Sequence, residues 1–475
     1  MRLAIDIGGT FTDLVLEHGN ELLTKKVLTS ISQPELAVIE GVSELLEENN
    51  IKASDIKMII HGTTLATNAV IERKGAKTCF ITTSGFRDVL DIGYESRFDQ
   101  YDILIDKTMS LVPRKHRYVI DERTDVNGSI ITSIDKDQFC NLITKIKNEN
   151  FESIAVGFLH SYANPENEKI LKAFLTNELP DVEVSISSDV CPEIREYERF
   201  TTTVVNAYIK PLMSNYLKKL DQKLLNSGFN CPLLLMTSGG TLTNISSACN
   251  NPVRLVESGP AGGAILATTI AEDMNLNKVI SFDMGGTTAK ITIIENKKAI
   301  KAREFEVDRK ARFKKGSGYP LRIPVIEMVE IGAGGGSIAR VNKLDQIITG
   351  PDSAGSFPGP ACYSNGGSMP TITDADLVIG KINPDNFAGG KIKLSKQLAD
   401  KAITENIVKF VNIDNNIAAL AISEIVDETM SNAARIHTVE QGHETSNRTL
   451  IAFGGAAPLH IARVAEKLRV SNVII

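Results

Sequence analysis

Two segments of this chain carry the same order of residues suited to holding phosphate: Asp6-Ile7-Gly8-Gly9-Thr10 and Asp283-Met284-Gly285-Gly286-Thr287. Paired glycines let the backbone come close to a bulky anion, successive N–H groups can point at its oxygens, and a threonine hydroxyl adds a donor. An aspartate at the end of the preceding strand suits hydrated Mg²⁺, which prefers carboxylate, water and phosphate oxygens. Asp6 and Asp283 are therefore the candidate metal-side residues. Each copy follows an apolar run and leads into another β-rich run, Leu14-Val15-Leu16 or Ile291-Thr292-Ile293-Ile294. Two related domains, each contributing one turn to grip a nucleotide's phosphates, would explain the repeat.

Other glycine clusters fit an anion site or a tight packing turn equally well. Ser258-Gly259-Pro260-Ala261-Gly262-Gly263 precedes a helical pattern that runs through Ala271. The orphan N–H groups of a helix start there would favour an anion. Phe453-Gly454-Gly455-Ala456-Ala457-Pro458 also joins an apolar run to a helical pattern. Two familiar nucleotide motifs fail: Gly380-Lys381 and Gly390-Lys391 are each followed by Ile, and Gly332-Ala333-Gly334-Gly335-Gly336-Ser337 ends in Ser. Asp13, His61 and Asp374 are the candidate catalytic side chains. Asp13 fits polarising an attacking group or bridging to a neighbouring strand, and His61, after Met58-Ile59-Ile60, fits a strand-end site residue or a satisfied core histidine. Asp374 and Asp376 would face opposite ways in a strand, so at most one reaches a cleft, or they cap the next segment. Cys362 reads as small-residue packing and His460 as an exposed helix residue.

The elements that position these residues alternate between β and α, which predicts an α/β fold. Helices are expected over 34–48, 135–147, 166–178, 201–226 with a kink at Pro211, 395–410 and 417–436, and a buried strand over 153–159. Pro180 and Pro192 bracket a stretch read as a link between a domain at 1–190 and one at 191–475. With a net charge of −6, 5% aromatic residues and no Trp, nucleic acid is not an expected partner. No apolar stretch reaches the length of a membrane span, no signal peptide is visible, and the six cysteines are dispersed. A reduced, cytoplasmic protein without a disulfide framework or protein-only zinc site is expected.

The ordered motifs resemble the hydantoinase/oxoprolinase family, in particular its hydantoinase A-type subunits. The resemblance begins with Asp6-Ile7-Gly8-Gly9-Thr10-Phe11-Thr12-Asp13 and His61-Gly62-Thr63-Thr64-Leu65-Ala66-Thr67-Asn68-Ala69. It continues through Gly85-Phe86-Arg87-Asp88-Val89, Pro192 to Arg199, Ser258 to Gly263, Ile331 to Ile338, Pro358 to Tyr363 and Thr373 to Leu377, and ends with Phe453 to His460. It implies an actin-like ATPase (ribonuclease H-like) fold, with two related α/β domains flanking a nucleotide cleft. By that analogy Gly8, Gly9, Thr10 and Thr12 form the first phosphate motif, and Gly285, Gly286, Thr287 and Thr288 the second. Gly262, Gly263, Gly454, Gly455 and Ala456 complete the ATP site, the last three beside adenosine, with Mg²⁺ or Mn²⁺ as the metal.

The activity implied is ATP-dependent opening of a cyclic amide, a hydantoin or 5-oxoproline-like ring, through phosphorylation of its carbonyl oxygen. A hydantoinase B-type subunit is the implied partner in a hetero-oligomer. Two other roles remain open: the ATP-using subunit of an acetone- or acetophenone-type carboxylase, and a non-catalytic nucleotide-gated regulatory subunit. Two departures stand out. Thr288-Ala289-Lys290 replaces the Ser-Thr-Asp of many relatives, so Lys290 could meet phosphate where they have a carboxylate. The chain also stops at Ile475, where the family pattern normally continues, which reads as a shortened C-terminal region.

Overall fold

Leu3, Ile5 and Ile7 alternate with Arg2, Ala4 and Asp6, and the period of two makes Arg2–Ile7 a strand with one buried face and one open face. Phe11–His18 folds back on it antiparallel, with Leu14 and Leu16 on the same buried side. The computed structural model describes residues 1–8, 11–30, 33–95, 97–105, 108–309, 316–388, 390 and 392–475. They divide into two compact units: Met1–Gly262 with Lys301–Val325, and Gly263–Ile300 with Ile326–Ile475.

The first unit holds a six-stranded sheet in the order Leu242–Asn244, Leu233–Met236, Met58–Thr63, Arg2–Ile7, Phe11–His18, Glu21–Leu28. It also holds a parallel sheet in the order Glu183–Ile186, Ser153–Gly157, Thr78–Thr83, Arg117–Ile120. Thr78–Thr83 and Ser153–Gly157 are buried throughout, as parallel strands covered on both faces must be. The stretch between Pro180 and Pro192 is no linker: it supplies the strand Glu183–Ile186 and the helical turn Ser187–Val190. Nor does the chain change units near residue 190. The 31-residue helix Glu196–Asn226 packs Phe200, Val204 and Ala207 against Phe80 and Ala155 of the parallel sheet. Val205, Ile209, Met213 and Leu217 of the same helix join the core of the six-stranded sheet. Gly157 makes room for this helix, since a Cβ there would lie 2.5 Å from the Phe200 ring.

The second unit repeats the arrangement. Its sheet runs Lys298–Ala299, Ala289–Glu295, Lys278–Met284, Thr449–Phe453, Asn472–Ile474, with Met328–Ile331 also paired to Ala289–Glu295. In both units a strand ending in the elbow aspartate pairs antiparallel with its successor and parallel with a strand from later in the chain, which itself has a parallel neighbour. The correspondence reaches single hydrogen bonds: Gly8 N donates to Phe11 O at 2.9 Å, and Gly285 N to Thr288 O at 3.1 Å. This is the actin-like, ribonuclease H-like α/β fold that the motifs imply.

Several helices lie where periodicity puts them. Pro34–Glu48 and Glu166–Glu178 match, while Lys136–Glu149 and Asn415–Glu440 are capped by the carboxylates of Asp135 and Asp414. The helix expected over 395–410 is Lys396–Ile403, running on through a π-helical stretch, Thr404–Val408, to Lys409–Val411. Among the described residues no helix is long and apolar enough to cross a membrane.

Candidate functional site

In the first unit Asp6 sits at the end of its strand, on the open face. Two glycines keep the space around its carboxylate. A Cβ on Gly62 would come within 2.9 Å of Asp6 Oδ1, and one on Gly259 within 3.2 Å of the same oxygen. Gly62 lies directly opposite Asp6 in the parallel register. Gly259 is brought there by Ser258, whose hydroxyl donates to Thr63 O at 2.9 Å and accepts from Thr63 N at 3.2 Å. Ile7 O accepts from both Thr64 N and Thr64 Oγ1, tying the His61-Gly62-Thr63-Thr64 segment to the turn. Gly9 and Thr10 lie outside the described residues.

The second unit builds its turn in the same way, with more support behind it. Asp283 ends its strand beside Gly454, where a Cβ would lie 2.5 Å from Asp283 Oδ1, and Gly454 has a φ of +91°. Met284 O accepts from Ala456 N at 2.9 Å, as Ile7 O does from Thr64 N. The Gly334–Gly336 loop lies against the turn backbone to backbone. Gly335 N donates to Gly285 O at 3.1 Å and Gly336 N to Gly286 O at 2.7 Å, while a Cβ on Gly334 would lie 2.5 Å from Thr287 N. On the opposite side the turn is open: Gly286 and Thr287 are exposed, and a Cβ on Gly285, Gly286 or Gly455 would meet nothing within 4 Å. None of these three has a positive φ, so the fold itself makes no demand for glycine there.

Gly62, Gly259 and Gly334 were not candidates from the sequence. Their signal was present, in the glycine-rich runs, but it becomes legible only once the aspartate or turn that each faces is known.

Other expected site residues have different employment. His61 is fully buried, with Nδ1 3.2 Å from Ile5 O and Nε2 2.8 Å from the Tyr216 hydroxyl. Burial pushes its pKa down to about 4, against the opposing pull of the bond to Ile5 O. It is a neutral core histidine and not a strand-end catalyst. Asp374 is also buried and lies in a helix, Ile372–Val378, not a strand. Its carboxylate accepts from Thr371 N, Thr371 Oγ1 and Ala361 N at Oδ2 and from Cys362 N at Oδ1, all structural bonds. Buried and bonded in this way, it holds the 361–362 turn to the helix start and does not face a cleft.

Thr12 turns its side chain to the buried face and meets the Thr29 hydroxyl at 3.0 Å, so the hydroxyl is not offered to a ligand. The segment read as a loop before a helix is already helical from Ser258, which places Gly262 and Gly263 more than a turn inside rather than at the start. Gly263 serves packing, since a Cβ there would lie 2.4 Å from the Phe453 ring; Gly262 meets nothing within 4 Å. His460 is fully buried, not exposed.

The open faces of the two hairpins carry opposite charge orders. In the first, Asp6 lies across from Asp13 and Asp13 across from Lys26, and Asp13 pairs with Lys26 at 2.5 Å. In the second, Asp283 lies across from Lys290 and Lys290 across from Glu330, with the ion pair at 3.6 Å. Asp13 therefore makes the cross-strand bridge that was one of its two expected roles. Among the described residues no three His, Cys, Asp or Glu side chains gather to hold a metal. A single aspartate beside a glycine-lined gap does suit Mg²⁺, which is bound by one or two carboxylates with phosphate and water more often than by an all-protein cage.

Residues 199–475 match the hydantoinase/oxoprolinase family, and residues 2–179 match the hydantoinase/oxoprolinase N-terminal region. The chain belongs to the hydantoinase/oxoprolinase family. It is 42% identical over 482 residues to an uncharacterised protein of Methanocaldococcus jannaschii, covering all of this chain and 70% of that one. It is 33% identical over 481 residues to the caprolactamase subunit alpha of Pseudomonas jessenii, covering all of this chain and 68% of that subunit. Among solved structures it is similar to the ATP-dependent caprolactamase of P. jessenii (TM-score 0.84, 33% identity) and to nucleotide-free acetone carboxylase (TM-score 0.86, 26% identity). Each likeness covers all of this chain and 68% of the other. The two family regions meet between residues 179 and 199, whereas the compact units exchange segments at 262, 300 and 325.

Proposed function

We propose that this hydantoinase/oxoprolinase family member is the ATP-using subunit of a cyclic-amide hydrolase. The observation that carries the reading is the trio of glycines at 285, 286 and 455, which the fold does not require. They leave a clear approach to a turn that is rigidly backed on its other side. A clear approach of that kind suits polyphosphate, whose oxygens must reach backbone N–H groups without side-chain obstruction. The likeness to an ATP-dependent caprolactamase supports both the nucleotide and a lactam as the second substrate.

In this reading Gly8, Gly9 and Thr10 hold phosphate, as do Gly285, Gly286, Thr287 and Thr288, with Gly454, Gly455 and Ala456 beside adenosine. Asp6 and Asp283 hold Mg²⁺ or Mn²⁺, whose contribution is to neutralise charge on the phosphates. Asp6 is the stronger of the two, because it faces the carboxylate of Asp13 whereas Asp283 faces the ammonium of Lys290. The amide oxygen takes the γ-phosphoryl group and ADP departs. Water adds to the activated carbon, the ring C–N bond breaks to leave an acyl phosphate, and a second water releases phosphate. A cytoplasmic hetero-oligomer with a hydantoinase B-type subunit completes the proposal.

Isothermal titration with ATP and Mg²⁺ tests the nucleotide claim, and absence of binding at millimolar ATP removes it. ADP release stimulated by a lactam, in the presence of the partner subunit, tests the substrate class. A carboxylase subunit is the second reading, favoured by the likeness to acetone carboxylase. It is distinguished by ATP consumption that needs bicarbonate and a ketone.

A further inference from the structure

Within the second unit, His460 joins three helices. It lies on Ala457–Leu468, the helix that follows Gly454–Ala456 directly. Its Nδ1 is 2.8 Å from Oδ1 of Asp427, on Asn415–Glu440. Its Nε2 is 3.0 Å from Oδ2 of Asp376, on Ile372–Val378, an ion-pair approach off the line of an ideal hydrogen bond. All three side chains are buried. Asp376 is held in turn by Ser423 Oγ at 3.2 Å and Lys381 Nζ at 3.5 Å, and Lys381 also donates to Ser423 at 2.8 Å. Two carboxylates bracketing both ring nitrogens describe an imidazolium, and burial pairs its charge with theirs.

The helix of Asp376 is tied to the phosphate turn. Thr373, one turn before Asp376, donates through both its N–H and its hydroxyl to Gly335 O at 2.8 Å, and Gly335 N donates to Gly285 O. The helix of His460 follows the Gly454–Ala456 loop directly, and that loop meets the strand leading into the phosphate turn at one backbone bond, Ala456 N to Met284 O. The imidazolium thus connects the element that backs the phosphate turn with the element that carries the adenosine loop.

We propose that His460 is a positioning residue for ATP: bridged by Asp376 and Asp427, it fixes the distance between the Gly454–Ala456 loop and the Gly285–Thr288 turn. It touches neither nucleotide nor metal, and the proposal rests on the reading of this region as an ATP site. A ligand that spans both elements needs the spacing, whereas one that uses the phosphate turn alone does not.

The full chain, the His460→Gln/Asp427→Asn double variant and Asp427→Asn alone are titrated with ATP and with inorganic tripolyphosphate, both with Mg²⁺. The double variant removes the cation and one anion together, so no extra charge is left buried. Asp427→Asn keeps the imidazole and its Asp376 contact if the double variant does not fold, and near-ultraviolet circular dichroism reports which variants are folded. The expected result is ATP binding weakened about tenfold, or about 1.4 kcal/mol, with tripolyphosphate changed by less than about twofold. ATP affinity kept at the wild-type value in a folded variant overturns the proposal. So does an equal loss for both ligands, which describes a general structural defect. Failure of the unaltered chain to bind ATP overturns the nucleotide reading itself and is separate from either result.

Discussion

Gly334 and Gly286 face each other across one turn and should fail in opposite ways. An alanine at Gly334 places its Cβ 2.5 Å from Thr287 N and 2.6 Å from the carbonyl carbons of Gly286 and Thr287, where ordinary contact begins at 3.4 Å. The atoms it meets are backbone, so no side chain can swing aside, and the turn must move by roughly 1 Å, an overpacking cost of about 1–3 kcal/mol. A shift of that size in a positioning element costs about 100-fold in activity. An alanine at Gly286 meets nothing within 4 Å and needs no unusual φ, so stability should hold or rise by about 0.4–1 kcal/mol as the unfolded chain loses freedom. Its methyl group nevertheless stands where phosphate must approach. Calorimetric melting and ATP titration of both variants give four numbers. Gly334→Ala should lose stability and affinity, and Gly286→Ala affinity alone. Full ATP affinity in Gly286→Ala, or wild-type stability in Gly334→Ala, would refute the reasoning.

Asp374→Asn should lower stability by several kcal/mol. An amide keeps one acceptor oxygen where four donors converge, and each buried donor left unmet costs about 1–3 kcal/mol; a denaturant titration measures it. His61→Gln should destabilise by about 1–3 kcal/mol through the Tyr216 hydroxyl, yet leave ATP affinity of the folded protein unchanged by titration.

Two of the buried histidines, His61 and His460, give stability opposite pH slopes. For His460 burial lowers the pKa, but the hydrogen bonds and charges of Asp376 and Asp427 outweigh it and raise the value from 6.5 to about 9. Its contribution is complete below pH 6.5 and is lost as pH rises through 9, a loss of about 3 kcal/mol. His61, lowered from 6.5 to about 4, exerts no penalty above pH 6.5 and destabilises as pH falls toward 4. Unfolding free energies across pH 4–10 should show both limbs, with the alkaline limb flattened in Asp427→Asn.

What was legible in the sequence was local. Asp-x-Gly-Gly-Thr between alternating apolar residues gives a strand, a turn and a second strand, and Pro34 near a helix start with Leu36, Ile39, Val42 and Leu46 at helical spacing gives the helix. What was hidden depends on partners far along the chain. His61 is settled by Tyr216, 155 residues away, and Asp374 by the amides of Ala361 and Cys362. The strand Glu183–Ile186 is four residues long and has its neighbour, Ser153–Gly157, on the far side of a helix, so nearby prolines read as a linker. Gly334 belongs to a run that fits no dinucleotide pattern, and no local rule says that such a loop will serve as the back wall of another turn.

Two turns of identical geometry would treat any ligand alike, however tightly each binds. Here one register position breaks the equivalence: the ion pair beside the elbow aspartate runs carboxylate-first from Asp13 to Lys26 and ammonium-first from Lys290 to Glu330. The group directly across from the aspartate is therefore a carboxylate in one copy and an ammonium in the other, which favours a cation at Asp6 more than at Asp283. A single side-chain difference laid over a duplicated backbone is thus enough to give the two turns different preferences.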